Sequence, residues 1–100
     1  MKIREKISNL TFDVYGIYWH ADKAYFYCFP RKSTGLSSYS EEEVEVFDAR
    51  IDDDFVFVTM AQGASGILHR HLVADALLDQ LLEHDPEAYA KFKSLIGREP

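Results

Sequence analysis

Across residues 61–66, Ala-Gln-Gly-Ala-Ser-Gly, the hydrophobic pattern of this chain changes period. Before that break, large apolar residues alternate or run in short β-branched and aromatic stretches; after it they recur at three- and four-residue spacing. Strands first and helices after leave no strand–helix–strand units from which to build a parallel sheet. Such a chain folds as α+β.

In the strand half, Leu10, Phe12 and Val14 alternate, and the parity then shifts to Tyr15, Ile17 and Trp19 around Gly16. This predicts one long strand with a bulge or bend at the glycine. His20-Ala21-Asp22-Lys23 reads as a turn, and Ala24 to Phe29 as the returning strand, closed by Pro30, which lacks a ladder donor. Arg31 to Ser40, with Gly35 and the serines Ser33, Ser37, Ser38 and Ser40, reads as a loop pinned to the core by Leu36 and Tyr39. Val44 to Ile51 and Phe55 to Met60 predict a second strand pair joined across Asp52-Asp53-Asp54. Ser40-Glu41-Glu42-Glu43 also fits a helix capping box, but the density of β-formers that follows favours strand.

In the helical half, Val73, Ala74, Leu77, Leu78, Leu81 and Leu82 gather on one stripe at steps of about 100°, with Asp75, Asp79 and Glu83 as an acidic ridge opposite. Asp85-Pro86 supplies an N-cap and a first-turn proline for a last helix, whose buried arc is Ala88, Tyr89, Phe92, Leu95 and Ile96 and which Gly97 ends. The expected architecture is an antiparallel four-stranded sheet of two hairpins, followed by two C-terminal helices packed on one face. One domain over residues 1–100 accounts for it.

At 100 residues and 47% hydrophobic, the chain can build a core without metal or disulfide staples. Cys28 is the only cysteine, so no internal disulfide forms, and its place in an apolar strand predicts a buried, unreactive thiol. Charges interrupt the first seven residues and no segment is long and apolar enough for a membrane span, which makes a cytoplasmic protein without membrane contact the expectation.

Catalytic signatures are sparse. His69-Arg70-His71 would share a face on a strand but stand about 200° apart on a helix, and the periodicity places them at a helix start. His20 and His84 lack ligand spacing, Asp52-Asp53-Asp54 lacks the spacing of a calcium loop, and Arg31 to Gly35 lacks the glycines of a phosphate loop. No catalytic residue, metal or cofactor is expected.

Charge is the remaining signal. Glu41 to Asp54 carries eight acids and one base, a net −7 against −6 for the whole chain. Val44, Val46, Phe47 and Ile51 interleave it, which marks an acidic face on a folded element rather than a disordered tail. Such a face repels nucleic acid and anionic membranes and attracts cationic proteins. Tyr39 and Trp19 as aromatic anchors within a rim of Glu41, Glu42, Glu43, Glu45, Asp52, Asp53 and Asp54 would have the anatomy of an interface. The leading expectation is therefore a small acidic protein-binding domain: concretely, a bacterial immunity protein that neutralises a basic toxin, such as a nuclease, by covering its active site. The alternative is a small enzyme or ligand-binding domain using His20, His69 or His71 with Tyr18 or Tyr25 in a pocket between sheet and helices. What separates them is whether the histidines meet a carboxylate within a concave pocket. A homodimer through exposed aromatics is a third expectation.

Overall fold

The computed structural model describes residues 1–30, 33–59 and 63–100. Among these residues, eight strands come first: β1 (Lys2–Glu5), β2 (Thr11–Asp13), β3 (Gly16–His20), β4 (Lys23–Cys28), β5 (Ser37–Ser40), β6 (Val44–Asp48), β7 (Phe55–Thr59) and β8 (Ser65–His69). Three α-helices follow among the described residues: α1 (Arg70–Ala74), α2 (Leu78–Leu82) and α3 (Pro86–Ile96). The class is α+β, as the pattern predicts, but the strands form two antiparallel sheets, β2-β1-β6 and β5-β4-β3-β8-β7, instead of a single four-stranded one.

Both faces of the larger sheet are covered. On one, Ile17, Phe26 and Cys28 pack with Ile3 and Val44 of the smaller sheet and with Val14 in the link from β2 to β3; on the other, Tyr27 and Leu68 pack with Leu72, Leu77, Leu81 and Phe92 of the helical layer. A strand buried on both sides needs apolar residues at both parities, which explains the unbroken run in β4. It also lets the chain bury more aromatics than one face would hold. Cys28 is fully enclosed, and burial pushes its thiol up to about 12.

The hairpin of β3 and β4 forms as expected, with His20 opposite Lys23. Ala21 and Asp22 both take positive φ, 51° and 64°, the type I′ geometry that matches strand twist. The predicted long strand around Gly16 is instead two strands in different sheets, since the chain leaves β2 at Asp13 and enters β3 at Gly16. Gly16 has a packing reason as well: a Cβ there would lie 2.6 Å from Leu68 Cδ2.

Three further expectations are corrected. Arg31 and Lys32 lie outside the described residues, but the serine-rich segment after them ends as strand β5, held by pairing with β4 and by Glu41, whose carboxylate accepts from Ala24 N–H at 2.8 Å. The strands expected over 44–51 and 55–60 do not pair with each other. β6 joins β1, where Arg4 and Glu45 are cross-strand partners with an ion pair of 2.7 Å, while β7 pairs with β8, a strand in place of the expected breaker and helix start. Met60, Ala61 and Gln62 lie outside the described residues. The Ser40–Glu43 box forms only in part: Ser40 N–H donates to Glu43 Oε1 at 2.9 Å, closing a turn and not a helix.

The first predicted helix is two short ones. Leu77 N–H donates to Leu72 O and Ala76 N–H to Val73 O, with Ala76 at φ 52°, a Schellman-type ending of α1. Leu72, Leu77 and Leu81 are all in one core cluster, and the break turns α2 so that they can be. The Asp75–Asp79–Glu83 ridge is consequently not one helix face. The ends of α3 follow their sequence signals, with the Asp85 side chain accepting from Glu87 N–H, Pro86 in the first turn, and Gly97 at φ 74° as the cap; of the expected arc, Ala88 and Phe92 are buried, whereas Leu95 is exposed.

Candidate functional site

Where β8 passes into α1, His69 is both the last strand residue and the helix N-cap, with extended backbone at ψ 136°. The two histidines of His69-Arg70-His71 therefore straddle a junction. Neither the strand nor the helix periodicity applies, and their rings stack, centroids 5.5 Å apart at 29°.

Each ring nitrogen near the backbone is occupied in a different way. His69 Nδ1 accepts from His71 N–H at 3.3 Å, capping α1 where Ser, Thr, Asp or Asn is more usual. An acceptor Nδ1 places the proton of neutral His69 on Nε2. His71 Nδ1 lies 3.0 Å from Asp75 Oδ2, one helical turn on, which assigns a proton to Nδ1 and, in the neutral ring, leaves Nε2 as an acceptor. The pair thus has opposite tautomers, one Nε2 donating and one accepting.

Both histidines line a cleft of about 210 Å³, together with Tyr15, Asp52, Arg70 and Arg98. Its floor is aromatic. The His69 ring lies edge-on to Phe92 at 5.5 Å and to Phe55 at 5.8 Å, and 6.1 Å from Tyr15. The Tyr15 hydroxyl is buried with no hydrogen-bond partner among the described residues. Burial pushes it up to about 12, and the neighbouring Arg98 guanidinium, 5.8 Å from the ring centroid, offsets part of that rise without a hydrogen bond of good geometry. Arg98 is held by Asp13 at 3.4 Å and Arg70 by Asp54 at 2.9 Å. Asp52 uses one oxygen to accept from Asp54 N–H.

His69 is only 7% exposed, and burial holds it below the ordinary imidazole pKa, against the pull of Asp54 and Asp52 and with smaller help from His71 and Arg70. The unfolded chain takes up that proton near pH 6.5, whereas the folded one resists it. Stability is therefore full above about pH 6.5 and falls as pH drops below it. His69→Asn keeps a capping acceptor and removes the titration. Denaturant midpoints at pH 7.5 and 5.5 should show a smaller acid loss in the variant than in the wild type; equal losses would contradict the burial assignment.

The remaining predicted residues are dispersed. His20 is exposed at a hairpin end, and His84 follows the α2 C-cap Glu83 at φ 61°, near Ser33, so neither joins the cleft. Tyr18 and Tyr25 stack on each other at 4.9 Å as a cross-strand pair, outside the residues that line it. Glu41, Glu42 and Glu43 form the turn before β6, and Asp52, Asp53 and Asp54 precede β7, so the acidic block is split between the two ends of β6. Several of its members meet cations: Glu42 with Lys23 at 2.6 Å, Glu45 with Arg4, Asp48 with Arg50, Asp54 with Arg70. Those contacts hold Glu42, Glu45 and Asp48 below the usual carboxylate range. Tyr39 is half-buried and stacked on Phe12 at 5.6 Å, pinning its segment as expected; Trp19 is 42% exposed.

Tyr15, Asp75 and Arg98 were not singled out for this site from the sequence. The i, i+4 spacing of His71 and Asp75 on a helix was the one available signal. Among the described residues no group of three or more His, Cys, Asp or Glu side chains has the arrangement of a metal site. Among the described residues no helix is long and apolar enough to cross a membrane. No protein-family model, curated protein or solved structure matches this chain.

Proposed function

We propose that the chain is a small ligand-binding domain whose site is the His69–His71 cleft. The observation that carries this reading is the pair of hydrogen bonds at the two Nδ1 atoms: in the neutral rings, the contact with Asp75 orients one imidazole as a proton acceptor at Nε2, and the capping bond makes its neighbour a donor there. Around it, the Arg98 cation favours an oxygen-rich, anionic or carbonyl group, and the Asp52 carboxylate in the same lining favours a donor. A base oriented by a carboxylate is also a group that takes a proton from a bound molecule, and the neighbouring His69 Nε2–H is a hydrogen-bond donor beside it. A cleft of about 210 Å³ suits a metabolite rather than a polymer.

The test is a titration with a panel of small carboxylates and phosphomonoesters, followed by the ring signals of His69 and His71. At least one compound should shift both signals together and raise Tm, and His71→Ala should weaken it by about tenfold or more. A panel that leaves both rings unmoved, or moves only distant residues, contradicts the reading.

A second reading is an acidic domain that covers a basic protein such as a toxin nuclease. It is supported by the exposure of Trp19 and by Glu43, Asp52 and Asp53, which meet no cation among the described residues. A partner of that kind would perturb the Glu43 and Asp53 regions and leave the Nε2 signals of the histidine pair in place.

A further inference from the structure

We infer that β7 is a self-pairing edge: two copies of this chain join antiparallel through it, making one continuous sheet from two five-stranded ones. β7 ends its sheet, and its sequence, Phe-Val-Phe-Val-Thr, carries no charge, proline or glycine to discourage pairing. The other edge strand, β5, is Ser-Ser-Tyr-Ser, and its one aromatic ring is engaged by Phe12.

The direction of the unused backbone groups follows from the ladder. His69 N–H donates to Tyr15 O, away from β7, while Arg70 N–H donates to Asp54 O, toward it. Antiparallel alternation with Phe55 opposite His69 and Val56 opposite Leu68 then turns Val56 and Val58 toward β8. Phe57 and Thr59 keep their N–H and C=O groups outward, and so does the Phe55 carbonyl. Phe57 is the middle residue of the strand and is 87% exposed.

These features select a second copy as the occupant. A two-fold axis at Phe57 makes the strand its own complement: Phe57 exchanges both backbone bonds with the partner's Phe57, and Thr59 N–H reaches the partner's Phe55 carbonyl. Charge agrees with that direction. Asp52, Asp53 and Asp54 precede one end of β7 and the uncharged Met60-Ala61-Gln62 follows the other. Antiparallel pairing keeps the two acidic triplets apart, whereas parallel pairing would stack them. The register also closes, where head-to-tail pairing of β7 on β5 would run on as a fibre. On the face away from the helices, the exposed Phe57 rings meet beside Trp19, which shares that groove with Phe57.

Sedimentation velocity of the whole chain at tens of micromolar tests the proposal. Wild type should sediment as a dimer, and Phe57→Lys should raise the dissociation constant by about a hundredfold or more. Phe57→Pro should do the same without loss of fold, because the N–H it removes points away from β8. Phe47→Lys, at an exposed site on β6, should remain dimeric. A wild type that stays monomeric at millimolar concentration, including one that pairs only with a different protein, overturns the proposal. Dimers that persist in both Phe57 variants overturn it equally.

Discussion

Phe92→Ala is expected to destabilise the protein by about 3–5 kcal/mol, the range for removing a fully buried aromatic side chain. Phe92 is 0% exposed and its ring is where helix, sheet and cleft meet: edge-on to Tyr15 at 5.5 Å and to His69 at 5.5 Å, and tilted against Phe29 at 5.7 Å. The substitution loses the transfer of the ring from water, the aromatic pairings, and the packing around the space left behind. Denaturant unfolding should show a lower midpoint with an unchanged slope. The same variant should loosen the two cleft residues that rest on the ring. A loss below about 1.5 kcal/mol would mean that the helical layer is not anchored here.

Tyr15→Phe should act in the opposite sense on stability. The hydroxyl is buried without a partner among the described residues, and an unsatisfied buried group costs about 1–3 kcal/mol. Removing one oxygen preserves the ring contacts with Phe29 and Phe92 and relieves that cost. The variant should therefore be more stable by about 1 kcal/mol or more in denaturant unfolding. Lower stability on losing the hydroxyl would show that it has a structural partner.

What the sequence revealed depended on how local each signal is. α3 carried its own boundaries in Asp85, Pro86 and Gly97, and the β3–β4 hairpin could be read from two apolar runs around a short turn. β5 and β8 could not. Ser37–Ser40 is a strand only because β4 lies beside it, and Ser65–His69 only because β3 and β7 flank it. The stripe from Val73 to Leu82 suits an unbroken helix equally well; Ala76 in a left-handed conformation is a tertiary choice that lets Leu72, Leu77 and Leu81 reach one core.

The site was hidden for a related reason. Weighing His69 and His71 on a regular strand or a regular helix separates or joins them by rule, and a junction obeys neither. Asp75 read as one of three acids on a ridge, although its side chain faces His71. The acidic block looked unopposed because its cations are remote in sequence: Arg4 for Glu45 and Lys23 for Glu42.

Long-range proton–nitrogen NMR correlations of the two imidazoles in the free protein test the proposed site most directly. At neutral pH, His69 should appear as the Nε2–H form and His71 as the Nδ1–H form, each fixed by its own partner. Two rings averaging freely between tautomers, or sharing the same one, would contradict the donor–acceptor pair on which the ligand-binding reading stands.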